Sequence, residues 1–427
     1  MEKTDVCFVG LGYIGLPTAV VMANAGVNVV GFDINASAVE QINRGKVTIV
    51  EPGLEEALGT ALRGGRFRAS TEPVPAKTYV IAVPTPFTNG YECDMRFIYS
   101  AAETIAPFLT GDELIILEST SPPLTTAKLA ARIAELREDL DTTGKAQGDT
   151  HQSKRVLFAH CPERILPGRA LEELVTNDRI IGGMTPEATQ RAKELYQTFC
   201  QGQLLETNDR TAELSKLAEN AYRDVNIAFA NELSLIADGL DIDVWELIGL
   251  ANHHPRVNIL QPGPGVGGHC IAVDPWFIVS SDPENSRLIR TAREVNDGKP
   301  EWVINAIKER VSVHKATEVA LLGLAFKADI DDLRESPALA IAQRLLKELP
   351  EVNFTVIEPN ISALPDVLRG HPNVKLGTFP SDLREDAITV LLVDHKEFGT
   401  QRPARLSAQK VVDTRGIWRQ RAEEVSE

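Results

Sequence analysis

Val6-Cys7-Phe8-Val9-Gly10-Leu11-Gly12-Tyr13-Ile14-Gly15 decides the fold. Four strand-type residues run into glycines spaced Gly-x-Gly-x-x-Gly, after which Leu16, Ala19, Val20 and Ala23 recur at helical spacing. A second β-rich run, Val27 to Phe32, ends in Asp33, roughly 20 residues beyond the glycines. Strand, glycine turn, helix and strand closed by an acid form a dinucleotide-binding βαβ unit. Gly10, Gly12 and Gly15 let a pyrophosphate approach the helix N-terminus, while Asp33 accepts hydrogen bonds from a ribose 2′-OH and repels a 2′-phosphate. NAD is favoured over NADP. No residue from Val6 to Phe32 is charged, yet the glycines, Pro17, Asn24 and Asn28 break the run into pieces too short for a membrane span or signal peptide.

Working outward, Thr78 to Val83 and Glu113 to Leu117 read as further strands, alternating with helical stretches such as Ile98 to Phe108. That rhythm predicts a parallel, doubly wound α/β sheet. Arg137 to Lys154 is polar and reads as an exposed loop. Between Thr211 and Leu240, Leu214, Leu217, Ala218, Ala221, Val225, Ala228 and Phe229 follow the 3.6 period without a proline, predicting a long amphipathic helix between two domains. Beyond Lys315 the α/β rhythm returns, with strands at Val319 to Leu322, Phe354 to Ile357, Ile388 to Val393 and Val411-Val412 and a helix from Pro337 to Leu349. The expected fold is two Rossmann-like doubly wound α/β domains joined by a central helical segment, with divisions at 1–205, 206–300 and 301–427.

The 427 residues suit two or three domains at roughly 150 residues each. Sixty acidic against forty-four basic residues give a net charge of −16, which disfavours nucleic acid and anionic membranes as partners. Any anionic ligand must be gripped by locally placed Lys and Arg. Five cysteines, odd in number and without ligand spacing, fit neither a disulfide framework nor a zinc site, so no metal and a reducing cytoplasm are expected.

A second loop, Pro262-Gly263-Pro264-Gly265-Val266-Gly267-Gly268-His269-Cys270, is too rich in Gly and Pro for helix or central strand. Its terminal cysteine precedes a helix start at Asp274-Pro275, where helix-terminal amides or a nearby cation would favour a thiolate. Cys270 is therefore a candidate nucleophile. Cys7, Cys93, Cys161 and Cys200 read as small buried hydrophobes, and His269 as either a partner of the thiol or an ordinary loop imidazole. On the long helix Lys216, Asn220 and Arg223 share one face, and Lys327 with Arg334 and His254 with Arg256 are basic clusters able to hold phosphates.

GLGYIG, VPTP around Thr85, ESTSP around Thr120, CPERILPG at Cys161 to Gly168, SKLAENAYRDVN at Ser215 to Asn226, the cysteine loop continuing into IAVDP, GLAFKADIDDLRESP and DTRG together resemble the UDP-glucose/GDP-mannose dehydrogenase family, in order over nearly the whole chain. The resemblance implies an NAD-dependent enzyme that oxidises the C6 alcohol of a nucleotide sugar to a carboxylate. GHCIAVDP preceded by HHPRVNILQPGPG is most similar to members acting on UDP-N-acetyl-D-mannosamine, with UDP-N-acetylglucosamine or UDP-glucose as alternatives. A two-electron dehydrogenase of the 6-phosphogluconate type would need no thiol. A nucleotide sensor would not need Lys216, Cys270 and Asp274 together.

By this resemblance Cys270 captures the aldehyde and Lys216 and Asn220 take the alcohol proton or stabilise an oxyanion. Asp274 and Thr120 order a water, and Glu163 is the base for hydrolysis. Tyr13, Ile14, Asp33, Thr85, Thr126 and Arg334 would contact NAD. Arg164, Ile165, Arg223, His254, Arg256, Gly267, Phe326, Lys327 and Arg415 would line the UDP-sugar site with Lys216 and Asn220. Many relatives have glycine after Ser-x-x-Pro, whereas Pro122-Pro123-Leu124 stands here, so the backbone near Thr126 is expected to differ. The long helix has apolar surface to spare, which implies a homo-oligomer built as a two-fold dimer, and the resemblance implies that Arg256 reaches the neighbour's site.

Overall fold

The computed structural model describes residues 4–88, 90–143, 154–166, 168–268, 270–400 and 402–418. His269 and residues 144–153 of the polar loop therefore lie outside the described residues. The chain divides into two compact units, Met1–Glu219 and Asn220–Glu427.

The first unit runs β1 (Val6–Val9), α1 (Gly15–Asn24), β2 (Val29–Phe32), α2 (Ala36–Asn43), α3 (Leu54–Arg63), β3 (Phe67–Ser70), β4 (Thr78–Ile81), α4 (Arg96–Ile105), β5 (Leu114–Leu117), α5 (Thr125–Leu136), β6 (Leu157–His160), α6 (Ala170–Thr176), β7 (Arg179–Gly183), α7 (Pro186–Tyr196) and β8 (Leu204–Asn208). Its strands lie in the order β3-β2-β1-β4-β5-β6-β7-β8, parallel except where β7 runs antiparallel to β6. β1 sits between β2 and β4, Val6 facing Val29 on one side and Thr78 on the other. Chain direction reverses its progress across the sheet at that point, and ligands of such sheets bind at the strand ends there. β1 is wholly buried because both faces are covered: Val6 and Phe8 pack into one core, Cys7 and Val9 into the other.

α8 (Asp209–Gly239) follows, and the second unit continues with α9 (Val244–Ala251), α10 (Asp274–Ser281), α11 (Arg287–His314), β9 (Glu318–Leu322), α12 (Pro337–Glu348), β10 (Asn353–Ile357), β11 (Val374–Leu376), β12 (Ile388–Leu391) and β13 (Val411–Asp413). Its parallel sheet has the order β11-β10-β9-β12-β13, with the same reversal between β9 and β12. The fold is thus two Rossmann-like sheets with a helical segment between them in sequence. No described helix is long and apolar enough to cross a membrane.

The long helix departs from its expected amphipathic reading. Leu217, Ala221 and Ala228 are buried, but Leu214 and Phe229 are exposed, and the buried face also carries Glu213, Asp224 and Asn231 at 0% exposure. Tyr222, Phe229 and Ile236, seven residues apart, line an outward apolar stripe extended by Leu240.

Candidate active site

At the first turn Gly10 has φ +100°, and a Cβ there would meet the Ala82 carbonyl oxygen at 2.5 Å, while a side chain on Gly15 would strike the Gly10 carbonyl. Only glycine fits either place. A Cβ on Gly12 would meet nothing within 4 Å, so its backbone faces open space as an approaching pyrophosphate requires. Asp33 stands at the end of β2, its oxygens accepting the Leu11 and Asn35 amides at 2.9 Å each. Each carboxylate oxygen keeps a lone pair for a ribose hydroxyl, so the residues present fit NAD.

Thr85 and Thr120 follow β4 and β5, and the Thr85 hydroxyl donates to the Thr120 carbonyl at 2.6 Å, tying the two loops together. Ile14 caps α1 and takes the Thr18 hydroxyl at 2.9 Å. Tyr13 donates its hydroxyl to Glu51 at 2.6 Å, and Glu51 also accepts the Gly168 and Ala170 amides at 2.9 and 2.7 Å. Glu51 therefore fixes both the tyrosine and the segment after the CPER motif. Thr126, fully buried, donates its amide and its hydroxyl to Glu213, each at 2.7 Å. Glu213 also takes the Leu124 amide at 2.7 Å, with Leu124 in the left-handed conformation at φ +75° that glycine would adopt without strain. Spacing alone could not reveal Glu51 or Glu213, since a glutamate is normally read as solvent-facing.

The CPER motif, residues 161–164, follows β6. Glu163 is 8% exposed, its Oε1 without a hydrogen-bond partner, and burial pushes its carboxyl up to about 8 even though Lys216 and Arg179 favour the ionised form. Beside it Arg179 pairs with Glu118 in the interior, and Tyr196 donates to the same carboxylate at 3.2 Å. Arg164 pairs with Glu219 at 2.7 Å, and Ile165 is half-buried. Lys216 is half-buried on α8.

In the second unit Cys270 is exposed in a turn whose carbonyl accepts the Val273 and Asp274 amides at 3.0 and 2.8 Å, one turn ahead of α10. Pro275 sits at the start of α10, as expected for a residue without an N–H. Asp274 is 3% exposed and takes the Asn220 side-chain amide at 2.6 Å. Arg334, held by Asp332, lies within electrostatic reach of Cys270. Gly267 is pressed against the Glu335 carbonyl, Pro337 and Phe326, leaving no room for a side chain. Arg415 bonds Asp394 at 2.9 Å near Gly263, and Lys327 is exposed after β9, so both lie at the β9/β12 reversal. Arg223, His254 and Arg256 are exposed, the Arg256 amide donating to His254 Nδ1 at 3.3 Å.

Cys7 and Cys161 are buried, as their apolar settings imply, whereas Cys93 and Cys200 are half-buried. Asp329, His395 and Glu397 come together near β12, but His395 Nδ1 accepts the Asp329 amide at 2.9 Å and Nε2 faces Glu358 at 2.9 Å, so both ring nitrogens are engaged.

The chain's relatives identify its family. The UDP-glucose/GDP-mannose dehydrogenase family matches in three parts: its NAD binding domain over residues 4–200, its central domain over 210–298 and its UDP binding domain over 320–420. The chain belongs to this family. It is 53% identical over 427 residues to the UDP-N-acetyl-D-mannosamine dehydrogenase of Yersinia pestis, covering 98% of this chain and 100% of that one. It is 52% identical over 418 residues to the NDP-N-acetyl-D-galactosaminuronic acid dehydrogenase of Ralstonia nicotianae, covering 98% and 97%. The structure of the UDP-N-acetyl-mannosamine dehydrogenase of Staphylococcus aureus superposes with a TM-score of 0.82 at 40% identity, over 97% of this chain and 95% of that one. The chain is accordingly an NAD-dependent nucleotide-sugar dehydrogenase.

Proposed function

We propose that the chain oxidises the C6 alcohol of UDP-N-acetyl-D-mannosamine to the uronate, with Cys270 holding the intermediate covalently. The observation that carries this reading is an exposed thiol ending a glycine-proline loop, one turn ahead of α10 and beside the Asn220–Asp274 pair. NAD bound at the Gly10 turn supplies the hydride acceptor for both oxidations. Lys216 takes the hydroxyl proton and Asn220 stabilises the charge on oxygen as the first hydride leaves C6. The Cys270 thiol then adds to the aldehyde carbon, its proton passing to the carbonyl oxygen. Loss of the second hydride and of that hydroxyl proton leaves a thioester. Water ordered by Thr120 and Asp274 and deprotonated by Glu163 cleaves it, releasing the carboxylate and restoring the thiol. The site thus converts one alcohol and one water to one acid with two hydrides transferred.

Tyr13, Ile14, Asp33, Thr85, Thr126 and Arg334 serve NAD. Arg164, Ile165, Arg223, His254, Arg256, Gly267, Phe326, Lys327 and Arg415 serve the UDP-sugar. Residues 1–205, 206–300 and 301–427 then act as cofactor, helical and UDP-sugar domains. The exposed stripe Tyr222, Phe229, Ile236 and Leu240 supports a two-fold dimer packed on α8, with Arg256 entering the partner's site. Free cysteines throughout the described residues support a reducing cytoplasm. The similar identity to the galactosaminuronate enzyme favours a second reading, a nucleotide-linked N-acetyl-D-galactosamine, which differs from the mannosamine at C2 and C4. NADH formation rates on UDP-N-acetylmannosamine, UDP-N-acetylgalactosamine, UDP-N-acetylglucosamine and UDP-glucose separate the readings, the first sugar being expected to give the highest kcat/KM.

A further inference from the structure

Gly265 and Gly268 of the loop that carries Cys270 have φ of +147° and +89°, and its described residues from Pro262 to Gly268 belong to no helix or strand, so its backbone is placed by contacts with other elements. A thiol that must meet an aldehyde carbon within a few tenths of an ångström needs an external support.

We propose that Asp224, Asn231, Arg293 and Asn296 are that support, a set of positioning residues gripping the loop at both ends. The proposal rests on the reading of Cys270 as nucleophile. Asp224 and Asn231 lie seven residues apart on one face of α8, Arg293 and Asn296 on α11, and all four are at most 1% exposed. The Gly263 amide donates to Asn231 Oδ1 at 2.9 Å, Asn231 Nδ2 donates to Asn296 Oδ1 at 2.8 Å, and Asn296 Nδ2 donates to Asp224 Oδ1 at 2.8 Å. From the other side Arg293 donates to the same Asp224 oxygen at 2.6 Å and points the same nitrogen at the Ile271 carbonyl, 3.5 Å away. Asp297 pairs with the guanidinium's second nitrogen.

The direction of the chain is unique. A backbone N–H at Gly263 needs an acceptor and a carbonyl at Ile271 needs a donor, so the amides must relay toward the carboxylate and the guanidinium must close the far end. Apolar side chains of the same volume would pack these helices as well or better, but they would leave the buried Gly263 amide without its acceptor and the half-buried Ile271 carbonyl without the guanidinium. What the polar set accomplishes is to fix the backbone on either side of Cys270.

Two variants and the unaltered enzyme test this. Arg293→Lys keeps a charge beside Asp224 but lacks the planar fork that serves Asp224, Ile271 and Asp297 together. Asp224→Asn with Arg293→Met removes the ion pair as a pair, so no lone charge stays buried. With limiting UDP-N-acetylmannosamine, NADH per sugar is counted and free aldehyde is trapped with semicarbazide, alongside thermal unfolding and NAD affinity. In the double variant kcat should fall at least roughly tenfold with KM values held within about twofold, and the yield should drop from two NADH toward one with aldehyde appearing in the trap. Arg293→Lys should leak to an intermediate degree, and it carries the test if the double variant does not fold. A stable variant that keeps the full yield, kcat and a dry trap overturns the network. Two NADH per sugar in the unaltered enzyme and in both variants rejects the positioning role alone, whereas one NADH in the unaltered enzyme rejects the nucleophile reading beneath it.

Discussion

The side-chain amide of Asn220 donates to the buried carboxylate of Asp274 at 2.6 Å, linking α8 to the first residue of α10. Truncating Asn220 removes this donor and, on the proposed mechanism, a group that serves C6. Asn220→Ala should lower kcat by roughly 10²-fold, in the range of a lost charge-stabilising donor, while NAD affinity stays within about twofold. Steady-state kinetics and an NAD titration check both halves.

Leu124 occupies a left-handed position at φ +75°, and its side chain is 43% exposed, so little burial offsets the strain. Left-handed backbone costs a residue with a Cβ roughly 1–2 kcal/mol, and glycine's extra freedom in the unfolded chain returns part of it. Leu124→Gly should raise stability by about 0.5–1 kcal/mol, read as a higher denaturation midpoint at unchanged slope. A lower midpoint would show that the leucine side chain does more than the strain costs.

Much of the first sheet is legible because glycine spacing, apolar runs and Asp33 all report one local geometry. The reversal between β1 and β4 follows from the same signals. Less legible is α11, where Gly298 and Pro300 punctuate what the structure keeps as one helix from Arg287 to His314. Pro300 withholds an N–H from the carbonyl four residues earlier, a local cost that packing against α10 and α12 overrides. On α8 the periodicity finds the helix and the buried Leu217, Ala221 and Ala228, but not the buried Glu213, Asp224 and Asn231, whose partners lie far away in sequence where no local pattern reports them. Glu51 is hidden for the same reason: its three donors come from residues 13, 168 and 170.

Glu163 must be ionised to act as a base, and its carboxyl is raised from the ordinary 4.5 to about 8 chiefly by burial. Thioester hydrolysis should therefore quicken with rising pH and level off near pH 8, and Glu163→Gln should slow acid formation and abolish that limb. The unfolded chain ionises this group first, so its contribution to stability is present below about pH 4.5 and is lost as pH rises toward 8. The glutamine variant should lack that decline. Denaturant midpoints at pH 5 and pH 8 measure it.

Arg256 is exposed in its own chain, consistent with service in a partner's site. Cys270→Ala and Arg256→Ala chains, each inactive alone, should recover about a quarter of the unaltered activity when co-expressed, since about half of the dimers are mixed and each mixed dimer holds one intact site. No recovery from verified mixed dimers would place Arg256 in its own site or outside it.

Covalent capture of the aldehyde by Cys270 is the centre of the account, and product stoichiometry tests it most directly. With excess NAD and limiting UDP-N-acetyl-D-mannosamine, the enzyme should form two NADH per sugar, with the uronate as product and no trappable aldehyde. Cys270→Ala should form no acid while keeping its NAD affinity. One NADH per sugar from the unaltered enzyme, or full acid formation by Cys270→Ala, would contradict it.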